Sequence, residues 1–200
     1  MLPSLFAQGT RLYEMGANAS FRFAIGREKA NNYCIDLFGG YKFNRHLSAG
    51  GGIQYVEYGG AILSSGIERV YVRTHNYRGF RPYVYGRYDL LPARKWTPFV
   101  AARLGYGIFA KSKLNYGVVF GFEPYDESEF EYLKDLDHTL RVRGNVFAAI
   151  DVGYSLHVGK KGSKFSFGFT LDMQPVEFAY NNHSEKRTRF SFGPTVGFTF

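Results

Sequence analysis

The sequence predicts an all-β chain: an eight-stranded antiparallel up-and-down transmembrane β-barrel with long extracellular loops. Three observations carry this. Apolar and polar residues alternate with period two in eight successive segments. The composition is rich in rings and glycine, with 20 Phe, 16 Tyr and 24 Gly among 200 residues. The connections alternate between short and long. Ring-bearing side chains fit a pleated surface, and glycines inside such segments suit a curved wall or a crowded interior.

The first segment sets Tyr13, Met15, Ala17, Ala19, Phe21, Phe23 and Ile25 against Glu14, Asn18, Ser20 and Arg22. This alternation outruns an ordinary soluble strand. The second opposes Tyr33, Ile35, Leu37, Tyr41 and Phe43 to Asp36, Gly40 and Lys42, and Asn44-Arg45-His46 turns the chain. The third, from Leu47, opposes Ala49, Ile53 and Tyr55 to Ser48 and Gln54. The fourth opposes Val84, Gly86 and Tyr88 to Tyr83, Tyr85, Arg87 and Asp89. A brief connection, Leu91 to Trp96, leads to the fifth, with Val100, Ala102, Leu104 and Tyr106 against Phe99, Ala101 and Arg103. The sixth places Val146, Ala148, Ile150, Val152 and Tyr154 opposite Phe147, Asp151 and Ser155, and the Gly159–Ser163 turn follows. The seventh sets Phe165, Phe167, Phe169 and Leu171 against Ser166, Gly168, Thr170 and Asp172. The last sets Phe190, Phe192, Val196, Phe198 and Phe200 against Arg189, Ser191, Thr195 and Thr199. Each segment approaches the ~9–11 residues a tilted strand needs to cross a bilayer.

Connections two–three, four–five and six–seven are short. Those after segments three and five are long, near 57–79 and 110–143, and those after one and seven are intermediate. Short periplasmic turns and longer external loops are the asymmetry of outer-membrane barrels. An even strand count then leaves both termini periplasmic. Alternation alone does not say which face points outward, because a soluble ligand-binding barrel lines its interior with the apolar face. Here the polar face is small and carries isolated charges of both signs: Glu14, Arg22, Asp36, Arg87, Asp89, Arg103, Asp151 and Asp172. A soluble surface carries more Lys and Glu. Tyr and Phe also recur near segment ends, where rings favour the head-group boundary. The apolar face is therefore assigned to lipid, and the eight charges to a lumenal network.

Residues 1–8 read as the tail of a secretory signal peptide, with Ala7 before the cleavage point, and 9–200 as one barrel domain. Net charge is +8, distributed as −6 over Glu123–Asp137 and +14 over the remainder. No pattern of a nucleic-acid-binding module accompanies the basic excess. Anionic lipid head groups and lipopolysaccharide fit it instead. The single cysteine, Cys34, reads as a small buried residue, and it leaves no disulfide framework and no Cys-based zinc site.

The chain resembles the small OmpA/OmpX-type outer-membrane barrels of Gram-negative bacteria. The resemblance is carried by Gly40 through Gly50, Arg81 through Tyr88, Thr97 through Tyr106 and the closing Gly197-Phe198-Thr199-Phe200. It implies that the aromatic-ended last strand, Phe198 and Phe200, is the signal read by the barrel-assembly machinery. Thr195 departs from the glycine often found at its position in such families.

Eight strands leave an interior just wide enough for side chains to fill it, so the lumenal charges are expected to form a plug. No histidine pair has zinc spacing, and no cofactor is expected. His183-Ser184-Glu185 offers no strand-borne nucleophile–base pair. In the acidic run, Glu127, Glu129 and Glu131 are expected to meet solvent or to dock on Arg69, Arg73, Arg78 and Arg81 as loop-interaction residues. The sequence thus points first to a non-enzymatic outer-membrane protein with a structural or surface-interaction role through its loops. The partner would be lipopolysaccharide, an envelope protein or a host-surface protein. A narrow outer-membrane channel comes second and a lipid A-modifying enzyme third.

Overall fold

The computed structural model describes residues 13–25, 31–60, 62–64, 70–118, 139–158, 163–180 and 183–200. Eight long strands form the wall: β1 (Tyr13–Ile25), β2 (Asn32–Lys42), β3 (Leu47–Tyr58), β6 (Tyr77–Asp89), β7 (Trp96–Tyr106), β11 (Val146–Val158), β12 (Ser163–Tyr180) and β13 (His183–Thr199). Five shorter ones occupy the two long connections: β4 (Ile62–Ser64), β5 (Val70–Thr74), β8 (Ile108–Phe109), β9 (Ser112–Val118) and β10 (Thr139–Gly144). The wall strands pair antiparallel in chain order, and β13 closes on β1 with Thr199 opposite Gly16 and Phe190 opposite Ile25. Phe200 continues the seam, its amide donating to the Met15 carbonyl at 2.9 Å. Closure leaves no free sheet edge in the membrane-spanning wall, so its strands pair with one another where lipid offers no hydrogen-bond partner.

The short turns have local causes. Asn44 Oδ1 accepts from the amides of His46 and Leu47 at 2.8 Å each, fixing the β2–β3 reversal as an Asx-type turn. Between β6 and β7, the Thr97 hydroxyl donates to the carbonyls of Leu91 and Arg94 at 3.1 Å. These turns, with Tyr13 and Phe200 at the outer ends of the seam strands, mark one rim, the short-turn end.

Outward positions form a continuous apolar band. Val84, Leu104, Ile150, Phe169 and Leu171 are all more than half exposed. Such a band is stable against hydrocarbon and not against water. Rings gather at its short-turn rim: Tyr13 meets Tyr41 edge-on at 5.5 Å, Tyr41 meets Phe43, and Trp96 meets Phe167. A second group lies toward the far rim, where Phe21 packs on Phe23 and Tyr33, and Tyr55 on Phe80.

The wall strands run longer at the far end than the alternation suggests. The fourth begins at Tyr77, and the intermediate connection after the seventh is itself strand, leaving only residues 181 and 182 between β12 and β13. The polarity reverses there. Below Gln174 the inward residues of β12 are Lys164, Ser166, Thr170 and Asp172; above it they are Val176, Phe178 and Tyr180. Outward residues change from Phe and Leu to Glu177, and on β13 to Lys186 and Ser184. Period two persists while its sign inverts, because the medium outside changes from lipid to water. A search for one constant apolar face therefore stops at the membrane boundary.

At the same height several wall strands are interrupted and then resume. β10 continues β11 against β12, and β4, β5 and β9 carry on β3, β6 and β7 in unchanged pairing register, so that β10–β9–β5–β4 extends the barrel wall at its far end. The junction needs glycine. The Gly107 amide donates to the Asn145 carbonyl at 3.0 Å, and a Cβ on Gly144 would lie 1.8 Å from the Gly107 carbonyl oxygen.

Phe178 is fully buried in the apolar cluster of the far end, edge-on to Tyr77. Phe178→Ala is expected to cost about 3–5 kcal/mol. The check is guanidinium unfolding in lipid vesicles, followed by fluorescence of Trp96, the single tryptophan.

Candidate functional site

The inward faces of the eight wall strands meet along the axis, and no described element separates them. Nearest the short-turn end, Glu14 accepts from Ser48 Oγ at 2.8 Å and from the Tyr85 hydroxyl at 3.0 Å, with Lys42 Nζ 3.6 Å away. Across the lumen, Asp89 is held by Arg87 Nε at 2.8 Å and by Lys164 Nζ. Arg87 also donates to Ser155 Oγ at 2.5 Å, and Ser155 bonds Ser166 at 2.7 Å.

At mid-height Arg103 bridges two carboxylates, Asp36 at 3.0 Å and Asp151 at 2.7 Å. Thr170 Oγ1 donates to Asp151 at 2.5 Å and contacts Thr195 Oγ1 at 2.7 Å. Thr195 thus takes part in the lumenal hydrogen bonding. A level higher, Asp172 is clamped between Arg22 Nη1 at 2.6 Å and Arg81 Nη1 at 2.8 Å. Arg81 reaches further, to the Tyr58 hydroxyl, Gln174 and Gln54, and its guanidinium lies 4.1 Å from the Phe147 ring centroid. Arg189 then donates to the Tyr77 hydroxyl and lies over the rings of Tyr58 and Tyr77.

Above the arginines the lumen turns apolar. Val56, Leu114, Leu140, Val142, Val176 and Phe178 pack with stacked Tyr58 and Tyr77, and Phe109 closes against them. Cys34 belongs to this cluster and is 1% exposed. The bore is therefore obstructed twice, by ion pairs through the membrane and by an aromatic stopper at the far end. Below the Arg22–Asp172–Arg81 clamp, among the lower ion pairs, a cavity of about 50 Å³ is bounded by Phe38, Tyr83, Tyr85, Phe99, Arg103 and Asp151. That is room for a few waters at most.

The eight charges marked as lumenal all lie on the inward face, joined there by Lys42, Lys164, Arg189 and Arg81. Arg81 is a correction. Its place in the loop-interaction set is overturned: it is fully buried and ion-paired to Asp172. The cause is the early start of β6, which puts Arg81 in phase with Tyr83 and Arg87 rather than in a loop. Counting back by two from Tyr83 would have found it. Arg78 is exposed on the outer side of β6, opposite Glu57. Arg73 lies in β5. Arg69, Glu127, Glu129 and Glu131 lie outside the described residues, as does the remainder of the acidic run.

Among the described residues, no group of three His, Cys, Asp or Glu side chains is placed to hold a metal. Ser184 Oγ donates to Glu177 at 2.5 Å on the outer wall. His157 contacts Thr97 Oγ1 at 3.3 Å near the short-turn rim. These two contacts sit at opposite ends of the barrel and do not combine into one site.

A closed eight-strand wall, an apolar outer band and an ion-paired interior define a small transmembrane barrel of the outer-membrane type, with the architecture of the OmpA/OmpX-type proteins. Among solved structures the chain is similar to Neisserial surface protein A (NspA), with TM-score 0.54 and 15% identity over 96% of this chain and 98% of that one. At that identity the likeness is one of fold. Weaker likenesses extend to two Pseudomonas aeruginosa proteins. The outer membrane protein OprG gives TM-score 0.45 and 10% identity, covering 94% of each chain. The N-terminal β-barrel domain of OprF gives 0.42 and 11%, covering 94% of this chain and 97% of that one. No family model and no curated protein sequence matches the chain.

Removing one partner from a buried ion pair strands the other charge, whereas replacing the whole group by apolar residues does not. Asp172→Asn leaves Arg22 and Arg81 facing each other and is expected to cost about 3–5 kcal/mol. The combined Arg22→Met, Arg81→Met, Asp172→Leu protein is expected to lose less than the single variant. Unfolding midpoints in vesicles, compared between the two, decide this.

Proposed function

We propose that the chain is a non-enzymatic protein of the bacterial outer membrane, a sealed anchor that presents its far-end β-structure and loops to the cell exterior. Both termini then face the periplasm, and the short turns lie on that side. The observation that carries this reading is the doubly obstructed lumen, with the ion pairs of Arg103 and Asp172 below and the packed rings of Tyr58, Tyr77, Phe109 and Phe178 above. A wall that conducts nothing leaves the external structure as the place where specific contacts are made. The extension of the wall through β4, β5, β9 and β10 supports this, since it carries the barrel beyond the lipid-facing band.

The partners in this reading are outer-membrane lipid and lipopolysaccharide around the wall, and an envelope or host-surface protein at the far end. During biogenesis the barrel-assembly machinery reads the closing strand, whose Phe198 and Phe200 stand exposed to lipid beside the β1 seam. The acidic run and Arg69, Arg73 and Arg78 remain candidate contact residues for the external partner.

Refolded protein in planar bilayers is expected to show no reproducible ion steps; stepwise conductance would overturn the sealed anchor. Lipid A from cells expressing the chain is expected to keep its mass, and a shifted mass would overturn the non-enzymatic assignment. Protease added to intact cells is expected to cut only at far-end segments. Cleavage in the Asn44–His46 turn would reverse the orientation.

A further inference from the structure

The outward faces of β9, β10, β12 and β13 carry an uneven charge directly above the lipid-facing band. Lys113, Arg141, Arg143 and Lys186 are exposed there, and Glu177 is the carboxylate among them, so among the described residues the face carries four positive charges against one negative. The opposite side of the barrel is balanced: Arg78 stands opposite Glu57, which also takes hydrogen bonds from Tyr55 and Asn76.

The register places these groups in two rows. Arg143, Glu177 and Lys186 are direct cross-strand neighbours on β10, β12 and β13, and Arg141, Ala179 and Ser184 form the next row outward. Adjacent strands lie ~4.8 Å apart, so the Arg143 and Lys186 backbones are roughly 10 Å apart and their long side chains reach a common point. Ala179 and Ser184 are small and leave space between the cationic arms. Lys113 extends the face onto β9, opposite Thr139, two residues before Arg141. Glu177 lies 3.9 Å from Arg143 Nη1, whose side chain is otherwise 65% exposed, and accepts from Ser184. It orients one arm without neutralising the face.

Depth supplies the second argument. Toward the far end of β13 the last lipid-facing ring is Phe190, and Lys186 lies four residues before it in the chain, roughly 13 Å along a tilted strand. On the neighbouring side Arg143 comes three residues beyond Val146, roughly 10 Å. The polar head-group layer adds roughly 5–8 Å to each side of the hydrocarbon, and strand tilt shortens these rises to about that depth. Arg143 and Lys186 therefore sit at about the depth of lipid phosphates, above the acyl chains that Met173, Phe190 and Val146 face, with Arg141 and Lys113 in the rows just beyond.

We propose that this face is a binding site for the phosphate groups of an anionic membrane lipid, held by Arg141, Arg143, Lys186 and Lys113 with its acyl chains against the adjoining apolar wall. The inference rests on the membrane-spanning reading of the barrel; with the orientation proposed above, the lipid is the phosphorylated glycolipid of the outer leaflet.

The test uses the full chain reconstituted in phosphatidylcholine bilayer discs doped with diphosphorylated lipid A, its dephosphorylated form, or neither, followed by extraction and measurement of lipid retained per protein. Lys113→Gln, Arg141→Gln, Arg143→Gln and Lys186→Gln together are expected to lower retention of the phosphorylated lipid at least about tenfold, given the attraction of each cation to an anionic head group. A control with Arg78→Gln, Arg94→Gln and Lys95→Gln is expected to retain it. Compact migration of unheated protein in detergent gels confirms that each variant is folded. Unchanged retention in the fourfold variant, equal loss in both variants, or equal retention of dephosphorylated lipid would each overturn the site. The discs present the same lipid on both faces, so a reversed orientation would leave this result unchanged, and failure here would leave the orientation reading standing.

Discussion

Asp172 lies fully within the barrel between two arginines contributed by distant parts of the chain. Arg22 comes from β1, Arg81 from β6 and Asp172 from β12, and all three are desolvated. An eight-strand wall has little choice about its interior: it is too narrow for bulk water and too wide to be left empty. Its inward side chains must therefore satisfy one another across the bore. The Arg22–Asp172–Arg81 clamp does so at the level where the polar lumen meets the aromatic stopper, and the strands bearing it cannot shift register without stranding a buried charge.

That constraint accounts for features above and below the clamp. Below it, each carboxylate has a cation in reach, Asp36 and Asp151 through Arg103, Asp89 through Arg87 and Lys164, Glu14 through Lys42. Above it, positive charge is carried onto ring faces, with Arg189 lying over Tyr58 and Tyr77. Cation–ring contact helps place a guanidinium among aromatic side chains. The interior then passes into a cluster of aliphatic side chains and rings. This sequence of ion pairs, cation–ring contacts and rings closes the bore without a separate plug domain among the described residues.

The outer surface follows the complementary logic. Lipid imposes apolar residues outward between the two aromatic rims, and water imposes polar ones beyond. Because the same strands pass through both media, the wall of β12 and β13 is an inside-out barrel along most of its length and an ordinary one at its far end. The charged residues at the change of medium, among them Arg143, Glu177 and Lys186, are therefore placed by a boundary and not by the fold's core.

The sequence by itself determined the class of fold, the eight wall segments and the inward face that gathers Glu14, Asp36, Arg103 and Asp172, because a period of two is a local property of a strand. It did not determine which charges meet, since Arg22, Arg81 and Asp172 are brought together only by closure, and partners 91 or 150 residues apart leave no local mark. It also misplaced Arg81 and cut short β6, β12 and β13, because reading a constant apolar face assumes one solvent along the whole strand. Only the tertiary structure shows where lipid gives way to water, and so where the same alternation changes sign.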